Sequence, residues 1–362
     1  MKAVIGKARR GEAVSVVCIG GSITEGANAS SEERCWAYGA YAAFRDLFGK
    51  DDGSNVRFRN AGMSGTPSTL GMIRYRRDVV DGLGVLPDLV FVEFAVNDAD
   101  DPTNGAAYES LVLEILRAKN HPAVVLMFSV FQSRWNLQDR LMPVGRVYGL
   151  PMISILDAVV PELEAGRITD EGFFSDIYHP TDWGHALMIA CVEYYFRTVD
   201  AELAAADAPA PVVPAIGNRF AGIAMIDREH LPSDVRIIPG SFSGIDAALG
   251  SFRYEPSRLT FPANWSKGAL PGNEPFVMTL ECRSLFLVYK KSAAEARFGS
   301  AEVYVDGALV DTFDGMPDNG WNNPWTSVLI DQTTTDRHTV TVKMAAGSES
   351  SAFSILAFGY VR

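Results

Sequence analysis

Residues 14–19, Val-Ser-Val-Val-Cys-Ile, make a short, almost wholly apolar run that stops at Gly20-Gly21-Ser22. A run of that kind predicts a buried parallel strand feeding a loop, because a strand with one wet face would alternate polar and apolar residues. Such a strand needs cover on both faces, and the sequence beyond it supplies the cover. From Ala37, apolar residues recur at Ala40, Tyr41, Phe44, Leu47 and Phe48, one face of a helix. Further buried strands are expected at 88–94 (DLVFVEF), 123–130 (AVVLMFSV) and 151–155 (PMISI), with Tyr108, Leu111, Val112, Ile115 and Leu116 marking another amphipathic helix between them. Strand and helix alternate throughout residues 1–200, which predicts an α/β sheet with helices on both faces.

The pattern then changes. Residues 201–214 (AELAAADAPAPVVP) are rich in Ala and Pro, contain no aromatic residue, and read as a helix end running into a semi-rigid linker. Beyond them Phe276, Met278, Leu280 and Cys282 alternate with other residues, and HTVTVKM alternates again. Asp306-Gly307 sits between two strand-like runs, the signal of a type I′ hairpin. The C-terminal part is therefore expected to be all-β, a sandwich or jelly roll. The expected division is a first domain over 1–205 and a second over 206–362.

The chain has 362 residues, 48% hydrophobic and 21% charged, which is ample for a buried core. Its net charge of −12, with no Lys/Arg block, argues against nucleic acid or an anionic membrane surface as partner and for a neutral substrate. The N-terminus lacks an apolar stretch long enough for a secretory signal, so a cytoplasmic protein is expected. The four cysteines, Cys18, Cys35, Cys191 and Cys282, lack the short spacings of a zinc site or a disulfide framework and read as reduced core residues.

A serine nucleophile needs an exposed hydroxyl on a tight turn, a histidine as base, an acid to orient that histidine, and donors for the oxyanion. Ser22 follows a buried strand and two glycines, although a Gly-Gly-Ser step is as readily a plain turn. In FFSDIYHPTDWGH, Asp176 and His179 stand three residues apart on a Pro-bounded loop, close enough for the carboxylate to bond one ring nitrogen while the other faces a nucleophile. His185 is the local rival, but its place in the following helix suits a structural histidine, and Asp182 reads as a residue opening that helix. RNAGMSGTPS offers Gly65 for close backbone approach, and VEFAVNDAD ends a strand in Asn97, whose amide could donate to an oxyanion. A plain turn and an Asn-Asp cap are the bland readings of those two segments.

Taken in order, GGSIT, NAGMSG, the Asn97-Asp98 step and DIYHP resemble the blocks of the SGNH (GDSL-like) hydrolases over roughly residues 12–200. The resemblance implies a flavodoxin-like, three-layer α/β fold with a parallel sheet. It implies Ser22 as nucleophile, His179 as base and Asp176 as its orienter, with an oxyanion hole from the backbone N–H groups of Ser22 and Gly65 and the Asn97 side chain. GGSIT in place of GDSL, and Ala95-Val96 before the Asn, depart from the lipase and thioesterase branches. The layout is similar to that of the intracellular family-17 carbohydrate esterases, which deacetylate mannan oligosaccharides and carry a C-terminal domain like a family-35 carbohydrate-binding module.

Trp135, Tyr178, Trp183, Trp321 and Trp325 lie in loop-like sequence, and Trp321, Trp325, Asn322, Trp135 and Tyr178 are candidate sugar contacts. The loop GWNNPW is expected to help hold the sugar. The implied reaction is acetyl transfer through Ser22 from an acetylated oligosaccharide, needing neither metal nor organic cofactor. A lipid- or thioester-directed esterase on the same triad, and a carbohydrate-binding protein on an inactive scaffold, are the alternatives.

Overall fold

The structure is a computed structural model that describes residues 1–202, 213–293 and 297–362. It divides into two compact units, Met1–Ala221 and Gly222–Arg362, so the first unit runs past residue 205. Most of the expected linker, residues 203–212, lies outside the described residues. The segment just beyond the linker is bound to the first unit: the buried Glu109 carboxylate accepts the N–H groups of Ala215, Ile216 and Gly217 at 2.6–2.7 Å.

The first unit is built on five strands, β1 (Val14–Gly20), β2 (Val56–Gly62), β3 (Leu89–Glu93), β4 (Ala123–Phe128) and β5 (Met152–Ser154), in the order β2-β1-β3-β4-β5. Every pairing is parallel. The strand expected to reach residue 155 stops at Ser154 for a local reason. The Ser154 hydroxyl accepts the Asp157 N–H at 2.9 Å and so caps helix α7 (Ile155–Glu164).

Val14, Val16, Cys18, Leu89, Phe91, Val125 and Met127 share one core with α1 (Lys2–Arg9), α3 (Trp36–Phe48), α7 and α9 (Asp182–Ala201). Trp36, Phe44, Phe48, Phe91 and Phe196 meet there edge to face. The intervening strand residues, Val17, Ile19, Val90, Val92 and Leu126, are equally buried and point to the opposite face. That face carries α4 (Ser68–Tyr75), α5 (Ala106–Leu116) and α6 (Gln138–Tyr148). Gly145 of α6 lies so near the sheet that a Cβ there would fall 2.4 Å from the Met152 sulfur. Because the strands are parallel, Gly20, Gly62 and Glu93 end side by side, and the segments that leave them share one edge of the sheet.

The second unit is a separate antiparallel system, an eight-stranded sheet whose main path runs β10 (Trp265–Lys267), β15 (Phe353–Val361), β11 (Phe276–Lys291), β14 (Asn323–Met344), β12 (Ser300–Val305), β13 (Ala308–Asp314). Its long members are β11, β14 and β15. Phe276, Met278, Leu280 and Cys282 are buried along one face of β11, as their alternation predicts. The hairpin between β12 (Ser300–Val305) and β13 (Ala308–Asp314) turns on Asp306 and Gly307 with φ of 52° and 82°, the double positive φ of a type I′ turn. Two of the expected loop tryptophans belong to regular elements instead. Trp183 is in α9, and Trp325 is in β14 opposite Tyr289, with the Lys291 ammonium 3.1 Å from its ring centre. Trp321 is in a loop and half exposed. Asn322 spends its side-chain oxygen on the Ala293 N–H at 3.1 Å.

Among the described residues no helix is long and apolar enough to cross a membrane.

Candidate active site

β1 ends at Gly20 and the chain turns at once into a single helical turn, α2 (Ser22–Glu25). Both glycines are required by close approach. A Cβ on Gly20 would lie 2.2 Å from Thr24 Oγ1 and 2.5 Å from the Glu93 carbonyl, and one on Gly21 would lie 2.0 Å from Asn97 Oδ1. The second contact places the Asn97 amide directly against the turn that carries Ser22. Arg74, wholly buried on α4, holds the strand ends by donating to the carbonyls of Ala61 at 2.7 Å and Gly20 at 3.1 Å.

Ser22 and His179 are brought together from 157 positions apart, with Ser22 Oγ 3.0 Å from His179 Nε2. On the other side of the ring, Nδ1 lies 2.9 Å from Asp176 Oδ2 and 3.1 Å from Oδ1. The carboxylate can only accept, so Nδ1 carries the proton and Nε2 is left to accept from the Ser22 hydroxyl. Asp176 also accepts the N–H groups of Tyr178 and His179 at 2.7 and 2.8 Å. Desolvation opposes its charge, but the His179 ring and those two N–H donors outweigh it and bring the carboxyl down to about 2. Near neutral pH the acid is ionised and the arrangement can draw the proton from Ser22.

The segments expected to supply oxyanion donors flank this relay. Gly65 is exposed with φ of 66°, and its loop is held from below because Glu25 accepts both the N–H and the hydroxyl of Ser64. Asn97 opens a short helical turn, Asn97–Asp100, and its side-chain oxygen is buried without a hydrogen-bond partner among the described residues. Asp98 accepts the N–H of Ser68 at 2.7 Å and its hydroxyl at 2.8 Å, steadying the start of α4.

His185 is apart from the relay. It is buried in α9 and accepts the Trp36 N–H at 3.3 Å. Asp182 begins α9, but Thr181 supplies the cap by accepting the Gly184 N–H, while Asp182 accepts from Ser30. Beside His179 lie three aromatic rings. Phe131 stacks on Trp135 at 5.8 Å and meets Tyr178 edge to face at 5.1 Å, and Tyr178 in turn stands 6.1 Å from the His179 ring. Trp135 and Tyr178 are exposed.

Sequence reasoning passed over Phe131, Thr24, Glu93 and Asn28. Thr24 donates to the buried Glu93 carboxylate at 2.8 Å under the Ser22 turn, and Asn28 donates to Asp176 Oδ2 at 2.7 Å. The one local signal was Asn28 in Gly-Ala-Asn, a residue suited to its left-handed φ of 64°.

The parallel sheet with helices on both faces and the ordered blocks at its edge are those of an acylhydrolase domain. Residues 18–187 match the GDSL-like Lipase/Acylhydrolase family, and this part of the chain is a GDSL-like domain. Over its whole length the chain is similar to two crystal structures of a two-domain esterase (CEX) active on acetylated mannans. One, co-crystallised with mannopentaose, is 26% identical, with a TM-score of 0.82 over 100% of this chain and 94% of that one. The other is also 26% identical, with a TM-score of 0.84 over 100% and 95%. No curated protein matches the sequence significantly.

Proposed function

We propose that this protein is a serine esterase that removes O-acetyl groups from carbohydrate, acting on acetylated manno-oligosaccharides through an acetyl-enzyme on Ser22. The observation that carries the reading is the hydrogen-bonded series Ser22, His179, Asp176, with contacts of 3.0 and 2.9 Å. The full-length similarity to esterases active on acetylated mannans supports the choice of substrate.

In the proposed reaction His179 Nε2 takes the Ser22 proton as Oγ bonds to the acetyl carbonyl carbon. The negative charge that forms on the carbonyl oxygen is met by the backbone N–H groups of Ser22 and Gly65 and by the Asn97 amide. The bond to the sugar oxygen breaks, and that oxygen takes the proton from Nε2. Water then adds to the acetyl-enzyme, giving its proton to His179, and release of acetate restores Ser22. Asp176 keeps its charge throughout and stabilises the imidazolium. Phe131, Trp135 and Tyr178 offer apolar ring faces beside His179 suited to a sugar. Trp321, Trp325 and Asn322 in the second unit are further candidate sugar contacts.

The test is acetate release from acetylated manno-, xylo- and cello-oligosaccharides, followed by mass spectrometry, with a long-chain ester as comparison. Preference for the manno-series, lost together with fluorophosphonate labelling in Ser22→Ala, is the expected result. Preference for the long-chain ester, or full activity in Ser22→Ala, refutes the reading.

A further inference from the structure

Asn28 lies outside every motif of the relay, yet it joins the two segments that form it. Its amide nitrogen donates to Asp176 Oδ2 at 2.7 Å and to Ser175 Oγ at 2.9 Å, across up to 148 positions of sequence. Ser175 extends the hold, its hydroxyl lying 3.0 Å from the His179 carbonyl and 3.2 Å from that of Pro180. Ser30, on the same loop as Asn28, donates its N–H and hydroxyl to Asp182 at 2.8 and 2.5 Å. The loop leaving the Ser22 turn is thereby fastened on both sides of His179.

We infer that Asn28 is a positioning residue for the esterase reaction, one that fixes the rotation of the Asp176 carboxylate against the His179 ring and takes up part of its negative charge. The inference rests on the reading of Ser22 as nucleophile and His179 as base. Asp176 Oδ1 is occupied by two backbone N–H groups, and Oδ2 is the oxygen nearer the ring. Asn28 bonds that same oxygen, so ring and amide hold it together. Removing the amide frees one side of the carboxylate, and the ring it orients loses a fixed direction toward Ser22. Among the groups that set the ionisation of Asp176, His179 is the ionisable one. The neighbouring Asp182 is engaged by Ser30 and feels the charge of Arg34 and the nearby His185.

Two variants separate the amide from the backbone. Asn28→Gly keeps access to the left-handed conformation while deleting the donor, and Asn28→Asp keeps the shape while setting a second carboxylate against Asp176. On a small acetyl ester, Asn28→Gly is expected to lower kcat about tenfold with KM little changed, the scale of lost orientation. Asn28→Asp is expected to move the acid limb of the kcat/KM profile upward by about one pH unit, because added negative charge favours the imidazolium over the neutral base. Wild-type kcat and an unchanged acid limb in both variants would overturn the inference. So would a loss of kcat accompanied by an equal fall in melting temperature and no movement of the acid limb in Asn28→Asp, which is the outcome of a merely structural turn. Full activity in Ser22→Ala would instead remove the underlying reading, whatever the Asn28 variants do.

Discussion

Glu93 and Asn97 stand four positions apart at the end of β3 and answer to different physics. Asn97 is held against Gly21, and on the proposed reading of its amide as an oxyanion donor its contribution is expected only where charge develops on the substrate. Asn97→Ala should lower kcat by about a hundredfold with KM nearly constant, the magnitude of one lost oxyanion donor. Steady-state kinetics on a small acetyl ester check this, and an effect confined to KM would assign Asn97 to ground-state binding. Glu93 is wholly buried, and desolvation raises its carboxyl to about 7 although the hydroxyls of Thr24 and Ser129 work in the opposite direction. The folded protein therefore holds this proton more tightly than the unfolded chain does. The stability it contributes is full below the unfolded value of 4.5 and is lost as pH rises through about 7. Glu93→Gln, which keeps an acceptor for Thr24, should flatten the decline in unfolding free energy between pH 5 and 8 by up to about 3 kcal/mol, read from urea midpoints. An identical decline in both proteins would contradict the burial argument.

At the scale of elements, the turn from β1 into α2 is the part of the first unit with least room. Gly20 faces a backbone carbonyl of β3 as well as a side chain, whereas the three atoms nearest to a Cβ on Gly21 all belong to the Asn97 side chain. A backbone carbonyl in a sheet cannot step aside, but an amide can rotate at the cost of its alignment. Gly20→Ala should accordingly lower the melting temperature by several degrees, while Gly21→Ala should lower kcat far more than it lowers stability. Parallel melting and kinetic measurements on the two variants decide the matter, and equal losses of both kinds would show that the turn yields as one piece. The same crowding explains how so tight a turn can present a side chain accurately: Arg74 of α4, Glu93 of β3 and Asn97 beyond β3 each meet it from outside.

At the scale of the whole molecule, the two units have hydrophobic cores drawn from different residues, the first from the parallel sheet and its helices, the second from β11, β14, β15 and their neighbours. The chain as a whole is acidic, with a net charge of −12. A field of that sign neither attracts nor repels a neutral oligosaccharide, but it repels an anionic one over about a Debye length. Raising sodium chloride from about 0.05 to about 0.5 M should leave kcat/KM for acetylated manno-oligosaccharides within about twofold, and should increase it for an acetylated uronic-acid oligomer. A steep salt dependence with the neutral substrate would point to a charged contact in its recognition.

Sequence alone determined the alternation of strand and helix, the change to an all-β second part and the ordered blocks around Ser22, Gly65, Asn97 and His179, because each is a matter of local period or short spacing. The Asp306-Gly307 hairpin was legible for the same reason, since two positive φ angles in succession demand such residues. Other features had no local signature. That β5 ends at Ser154 depends on a hydroxyl choosing to cap a helix, and that Trp325 lies in a strand under Lys291 depends on a partner strand more than thirty positions away. The pressure of Asn97 on Gly21 was decided only when the parallel pairing of β1 and β3 brought their following segments to one edge, and the approach of Ser22 to His179 and the bond from Asn28 to Asp176 only when α9, which the His179 segment enters, packed with α3 onto the same sheet. Local propensity acts through a few neighbouring residues, whereas a catalytic arrangement is set by distances between segments that only packing of the sheet and its helices can bring together.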